Sequence, residues 1–339
     1  MNSSALETLR PFILSLPKAE LHLHLEGSID PPTLLEVRER HGKASTLAEV
    51  EQLYRYSDFN GFLMAFKVIT EDLQTASDYE LITYRLMEKL KAENVLHAEV
   101  FVSVGVCLWR KLEFAAIFEG LERGRQRGER DFGVSLLWIF DAVRQFGPHA
   151  ALEAFKLAVR YSDRSVAGIG IGGDEQKAPP ELFRDAYAYA ADHGLRLTAH
   201  AGESASPESI WGALNLRAER IGHGLTAAQD QELVEELATR QVPLEICLTS
   251  NLRTGCCPSL EAHPLRSYFD QGVMITLNSD DPAMFQTSLT REYQLAQETF
   301  AFTDEHLREF ARNSFEASFL APEKKLSFLN LFDAAVARS

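Results

Sequence analysis

The chain has 339 residues, enough for one large α/β domain or two smaller ones. It carries 49 acidic against 34 basic side chains, a formal charge of −15, which argues against a nucleic-acid backbone or an anionic membrane surface as partner. No apolar run is long enough to span a bilayer, and Met1–Pro11 lacks the basic-then-apolar pattern of a secretory signal, so a cytoplasmic protein is expected. Cys107, Cys247, Cys256 and Cys257 contain no CxxC pair and are expected as free thiols.

In chain order, Leu6, Leu9, Phe12, Ile13 and Leu16 mark an initial helix that ends near Pro17. Glu20-Leu21-His22-Leu23-His24-Leu25-Glu26 then alternates like a strand, and Gly27 breaks it. Residues i and i+2 of a strand share a face, so His22 and His24 project together, opposite Leu21, Leu23 and Leu25. Two imidazoles on one face are half of a zinc site, although HxH alone is a short pattern. Asp30, Pro31 and Gly42 bracket a helix as cap, first position and stop. Residues 44–94 read as helical throughout. Their Leu53, Tyr54, Phe59, Phe62, Leu63, Phe66 and Ile69 form either core or the apolar wall of a flat-ligand site.

Beyond this the chain alternates. Strands are expected at Val95–Val104, Val134–Phe140, Val166–Ile171, Leu195–Ala199, Glu219–Ile221, Val242–Leu248 and Val273–Leu277, with helices between them and after the last. Together with the histidine strand these make eight β/α units, which predicts a single (β/α)8 TIM barrel over 1–339. Residues 44–94 are then a helical insertion over the barrel mouth, with further helices at the C-terminus. A doubly wound open sheet is the alternative, but no GxGxxG turn follows the first strand.

Residues with metal and proton chemistry fall at the C-terminal ends of these strands. His22 and His24 lie on the first, Gly173-Asp174-Glu175 follow the fourth, His200 and Glu203 the fifth, His223 the sixth, and Asp280 and Asp281 the eighth. In a barrel these ends converge on one mouth. Three histidines and one carboxylate suit zinc with an exchangeable water position, though iron or manganese also accept such ligands. Glu203 is a candidate general acid, and His223 is placed to orient or deprotonate a water. The aspartate pair can divide its work between metal and water or substrate, and spacing does not assign the roles.

The segments Leu16–Gly27, His200-Ala201-Gly202-Glu203, Glu219–Gly224, Cys247–Asn251 and Leu277–Pro282 together resemble the adenosine deaminase family of the amidohydrolase superfamily, over essentially the whole chain. The resemblance implies one zinc ion per chain on His22, His24, His200 and Asp280. It implies hydrolysis of a purine 6-amino group to a 6-oxo group with release of ammonia. Glu203 would protonate N1, His223 would orient the water, Asp281 would accept from the water and meet N7, and the Gly173 N–H would meet N3. The partner implied is a small purine nucleoside; the oligomeric state is not.

Glu26 stands where the family commonly has Asp near the ribose, and His24 also borders the substrate there. The Gly172-Gly173-Asp174-Glu175 turn is closer to the nucleoside deaminases than to free-adenine deaminases. The Asp141–Gly147 and Thr249–Gly255 segments are similar to members acting on 6-aminodeoxyfutalosine, an adenosine with an aryl-carboxylate extension, whose carboxylate Arg144 or Arg253 is expected to meet. Adenosine, 6-aminodeoxyfutalosine and free adenine are thus the candidate substrates. A two-metal hydrolase on the same scaffold is the alternative activity, but the glycine-rich end of the fourth strand offers no bridging lysine, and Lys177 lies further along. A catalytically silent binding protein would leave the whole constellation without a role.

Overall fold

The computed structural model describes residues 10–337. Eight parallel strands run in sequential order: β1 (Lys18–His24), β2 (Val95–Val102), β3 (Ser135–Val143), β4 (Val166–Gly172), β5 (Arg196–Ala201), β6 (Arg220–His223), β7 (Leu244–Ile246) and β8 (Ile275–Leu277). A bridge between Leu23 and Asp280 brings the last strand back to the first, giving the expected barrel. Each strand buries leucine, isoleucine, valine or alanine outward against the helices, the pattern of parallel strands covered on both faces.

The inward positions are unusually polar. At the N-terminal end of the barrel, Arg220 pairs with Glu99 and Glu245 at 2.5 and 2.6 Å, and His97 Nε2 lies 3.3 Å from Glu99. Phe319 closes the layer, with the Arg220 guanidinium 3.7 Å from its ring centre. Phe101 and Ile139 pack above this layer, and the histidines lie above them.

Between β1 and β2 the structure has four helices: α2 (Pro31–Arg40), α3 (Leu47–Gln52), α4 (Phe59–Glu71) and α5 (Ala76–Ala92), preceded by α1 (Pro11–Ser15). Asp30 accepts from the Thr33 N–H and Pro31 opens α2, as its sequence suggests. The 44–94 segment is not one continuous helical run. Asp58 caps α4 and a capping box of Thr75 and Asp78 opens α5, so the polar caps at each start override the apolar periodicity across the breaks. Leu6 and Leu9 lie outside the described residues. A short helix after β2, α6 (Val104–Trp109), lacks a sequence signal because its residues are nearly all apolar. All four cysteines are free thiols, three of them buried. Among the described residues no helix is long and apolar enough to cross a membrane.

The insertion is anchored by α5 crossing α7 (Phe114–Phe132). Gly120, Gly124 and Gly128 form one ridge of α7 against α5, and a Cβ on Gly120 would collide with the backbone carbonyl of Ala76. Backbone cannot yield as a side chain can. Gly120→Ala is therefore expected to destabilise the fold by about 1–3 kcal/mol, seen as a lower urea midpoint at unchanged m value.

Candidate metal centre and active site

Four ligand-type atoms converge at the barrel mouth. His22 Nε2 and His24 Nε2 lie 3.5 and 3.4 Å from Asp280 Oδ1, and His24 Nε2 lies 3.1 Å from His200 Nε2. Ligands about 2.0–2.1 Å from one zinc ion in tetrahedral array sit roughly 3.3 Å apart, so these spacings fit a single cation. The outer nitrogens are already used: His22 Nδ1 is 2.7 Å from Glu245 Oε2, and His200 Nδ1 is 3.0 Å from the Ile171 carbonyl. His22 Nε2 is buried without a hydrogen-bond partner, as expected of a nitrogen aimed at a metal. His223 also falls within ligand reach of His22, His200 and Asp280, while His24, Asp280 and Asp281 form an overlapping group.

The backbone explains the convergence. Asp280 and His223 both adopt left-handed conformations, with φ of 63° and 65°. Such strain in non-glycine residues clusters at functional sites. At Asp280 it lets the N–H reach the His22 carbonyl (3.1 Å) and the carbonyl accept from the His24 N–H (2.8 Å). Two glycines make room: a Cβ on Gly222 would lie 2.6 Å from His22 Cε1, and one on Gly27 would occupy the space of the Asp281 carboxyl. Ser250 Oγ donates to Asp280 Oδ2 at 2.6 Å, leaving Oδ1 toward the histidines.

The proton-handling groups surround this cluster. His223 Nδ1 is held by the Asn251 amide at 3.1 Å, leaving Nε2 3.7 Å from Glu203 Oε2 and 4.0 Å from Asp280 Oδ2. Burial pushes the Glu203 carboxyl up to about 8, with the charges of Asp280 and Glu175 adding to the shift. Burial likewise pushes His223 down to about 4, against the attraction of Asp280. Burial and the neighbouring Asp280 charge raise Asp281 well above the usual carboxylate range. The site thus favours a neutral acid at Glu203 and a neutral imidazole at His223.

A cavity of ≈ 520 Å³ opens above, within the range that encloses drug-sized ligands. His24, His200, Glu203, His223, Asp280 and Asp281 line its floor, and Gly173 its side. Glu26 is not among the lining residues. Its carboxyl is buried and accepts from the N–H and Oγ of Ser103 at 3.1 and 3.3 Å, so it braces Ser103, which does line the cavity. Arg144 does not reach a ligand either: its guanidinium is buried and donates to the Ala178 and His200 carbonyls, which stiffens the loop instead. Arg253 lies over the Tyr56 ring at 5.7 Å, away from the lining. The lining cations are Lys67 and Arg110, and Arg110 is committed to carbonyls at the end of α4.

Two residues here had no individual role in the sequence. Glu245 orients His22 from β7, one strand beyond β8. Glu175 accepts from the N–H groups of Gly202, Glu203, Ser204 and Ala205, and so shapes the turn that carries Glu203. Glu175 was visible only as part of a polar strand end, and Glu245 sits mid-strand between apolar residues, where nothing local marks it.

Comparison with known proteins gives a consistent picture. The family model described as adenosine deaminase matches residues 17–335. An aminodeoxyfutalosine deaminase of Streptomyces avermitilis is 37% identical over 318 residues, covering 92% of this chain and 89% of that one. The crystal structure of an adenine deaminase from Arthrobacter aurescens aligns with a TM-score of 0.90 at 32% identity, covering 95% and 99% of the two chains. An amidohydrolase from Burkholderia ambifaria, solved with bound zinc, aligns at 0.88 and 28% identity, covering 96% and 93%.

Glu245→Gln keeps the shape of the side chain but removes the charge that holds His22. It is expected to weaken metal binding by about 10- to 100-fold, measured by competition against a chelator of known affinity.

Proposed function

The chain belongs to the adenosine deaminase family, and from that premise we propose that it hydrolyses the 6-amino group of a purine nucleoside to the 6-oxo product and ammonia. The observation that carries this reading is the convergence of three imidazole nitrogens and Asp280 beneath a cavity that also presents Glu203, His223 and Asp281. His22, His24, His200 and Asp280 would hold one zinc ion. When bound, that ion acidifies water near neutral pH and supplies the nucleophile.

The residues of the chain do the rest. Glu203, neutral in its buried position, donates a proton to N1 as attack at C6 places charge there, then passes a proton to the departing amine. His223, fixed by Asn251, orients the attacking water. Asp281 meets N7 and the water, and the Gly173 N–H meets N3. Residues 44–94 supply the apolar wall: Phe59, Phe62, Leu63 and Phe66 of α4 face the cavity and exclude water from the base. Within the single barrel domain this insertion would act as the cover of the mouth.

The relatives point to two substrates, a nucleoside with an extended 5′ side and free adenine. The cavity favours the former, since its lining extends from the floor to Met64, Lys67, Trp109 and Phe146. Trp109 and Phe146 stack at 5.7 Å, and the Lys67 ammonium lies 5.8 Å from the Trp109 ring. That end suits an aryl carboxylate, with Lys67 in the role first expected of Arg144 or Arg253.

Three measurements test the reading. Ammonia release from adenosine, 6-aminodeoxyfutalosine and adenine is expected to be fastest with a nucleoside, and Glu203→Gln is expected to lower kcat about 10²- to 10⁴-fold. No ammonia from any of them rejects the deaminase assignment. Because Glu203 works protonated and sits at about 8, activity is present below that pH and is lost as pH rises through it. A pH–rate profile flat to pH 10 would contradict Glu203 as the acid. Lys67→Ala should lower kcat/KM on 6-aminodeoxyfutalosine on the order of tenfold, with a smaller change on adenosine.

A further inference from the structure

Asp141 takes part in no step described above. It belongs to the inward-facing series Leu137, Ile139, Asp141, Val143 of β3, is 5 % exposed, and lines the cavity. Its Oδ1 has no hydrogen-bond partner. The adjoining strand is built to admit it: a Cβ on Gly170 would lie 3.0 Å from Asp141 Oδ1, and one on Gly172 would lie 3.3 Å from Asp141 Oδ2. A buried carboxyl without partners is costly unless one reaches it; Oδ1 is enclosed, and the small exposed surface of the residue opens on the cavity.

Ser103 continues the same edge. The β2–β3 register runs through Val102 and Phe140, which sets Ser103 beside Asp141. Ser103 also lines the cavity, and Glu26 braces it from behind. The α4 side of the cavity is apolar, so Asp141 and Ser103 form a polar edge facing an aromatic wall. A carboxyl beside a hydroxyl matches adjacent sugar hydroxyls; burial holds the Asp141 carboxyl well above the usual carboxylate range, so it can accept from one hydroxyl and donate to the other. A free purine base has no such group.

We propose that Asp141, with Ser103, is a hydroxyl-binding edge that holds the sugar of a 6-aminopurine nucleoside and so favours nucleoside over free base. This rests on the deaminase reading of the cavity floor, and the test separates the two. Steady-state kinetics of the zinc-loaded wild type, Asp141→Asn and Asp141→Leu are compared on adenosine, 2′,3′-dideoxyadenosine and adenine. In parallel, calorimetry compares binding of inosine and 2′,3′-dideoxyinosine.

The wild type is expected to prefer adenosine over its dideoxy analogue by about 10- to 100-fold in kcat/KM. Asp141→Leu collapses that ratio, through KM rather than kcat, while Asp141→Asn keeps most of it. A wild-type ratio near unity overturns the proposal whatever the variants do, and so does a ratio unchanged in Asp141→Leu. If the wild type deaminates none of the three, the binding arm decides Asp141, and the deaminase reading falls only if 6-aminodeoxyfutalosine is left intact as well. Inosine must then bind at least about tenfold more tightly than dideoxyinosine to the wild type, and equal or undetectable binding overturns the proposal.

Discussion

The seam where β8 meets β1 is the constraint on which the site depends. Regular pairing there is short, and side chains complete it. Asn278 Oδ1 accepts from the N–H groups of both Leu21 and His22, at 2.9 and 3.1 Å. Asp280 then exchanges backbone hydrogen bonds with His22 and His24. On the outer side, Glu20 accepts from the N–H and Oγ of Ser279. The same few residues close the barrel and bring Asp280 to the two histidines. Loss of the closure would therefore separate these candidate ligands as well as open the sheet.

Below the ligands, the barrel interior is held by charge rather than by stacked aliphatic layers. Arg220 is shared by Glu99 and Glu245, and Glu245 is shared in turn by Arg220 and His22. A buried ion pair is weak evidence for stability, since desolvation offsets its attraction. Its use here is geometric: Glu245 cannot turn away from His22 without also giving up its own pair with Arg220. The glycines of β4 serve the same interior by leaving space for Phe101 and Asp141.

The cavity has two chemically distinct sides. The α4 side is aromatic and belongs to the insertion, which packs on the barrel through α5 and α7. The β2–β4 side belongs to the barrel itself and carries the polar Ser103, Asp141 and Gln145 among apolar residues such as Val143 and Phe146.

Local pattern along the chain was enough to order the strands and to identify the residues at their ends. Period-2 alternation placed Leu23 opposite His22 and His24, because that period is a property of the extended backbone, whereas the irregularity between Glu20 and Leu23, where Leu21 and His22 both donate to Asn278, leaves no local mark. The helix caps at Asp30 and Pro31 were equally local. What only the tertiary structure decided concerns partners distant in the chain. Glu245 reads as one acid within an apolar strand, and its link to His22 exists only once the barrel closes. Arg144 reads as a cation for a substrate carboxylate, yet the fold buries it on two carbonyls, because the loop around it supplies acceptors that spacing cannot reveal. Glu26 lies two residues past a ligand but turns behind Ser103 in the 3-10 turn that follows β1. Local periodicity fixes which way a side chain points, whereas the contact it makes depends on which other strand the closed barrel sets beside it.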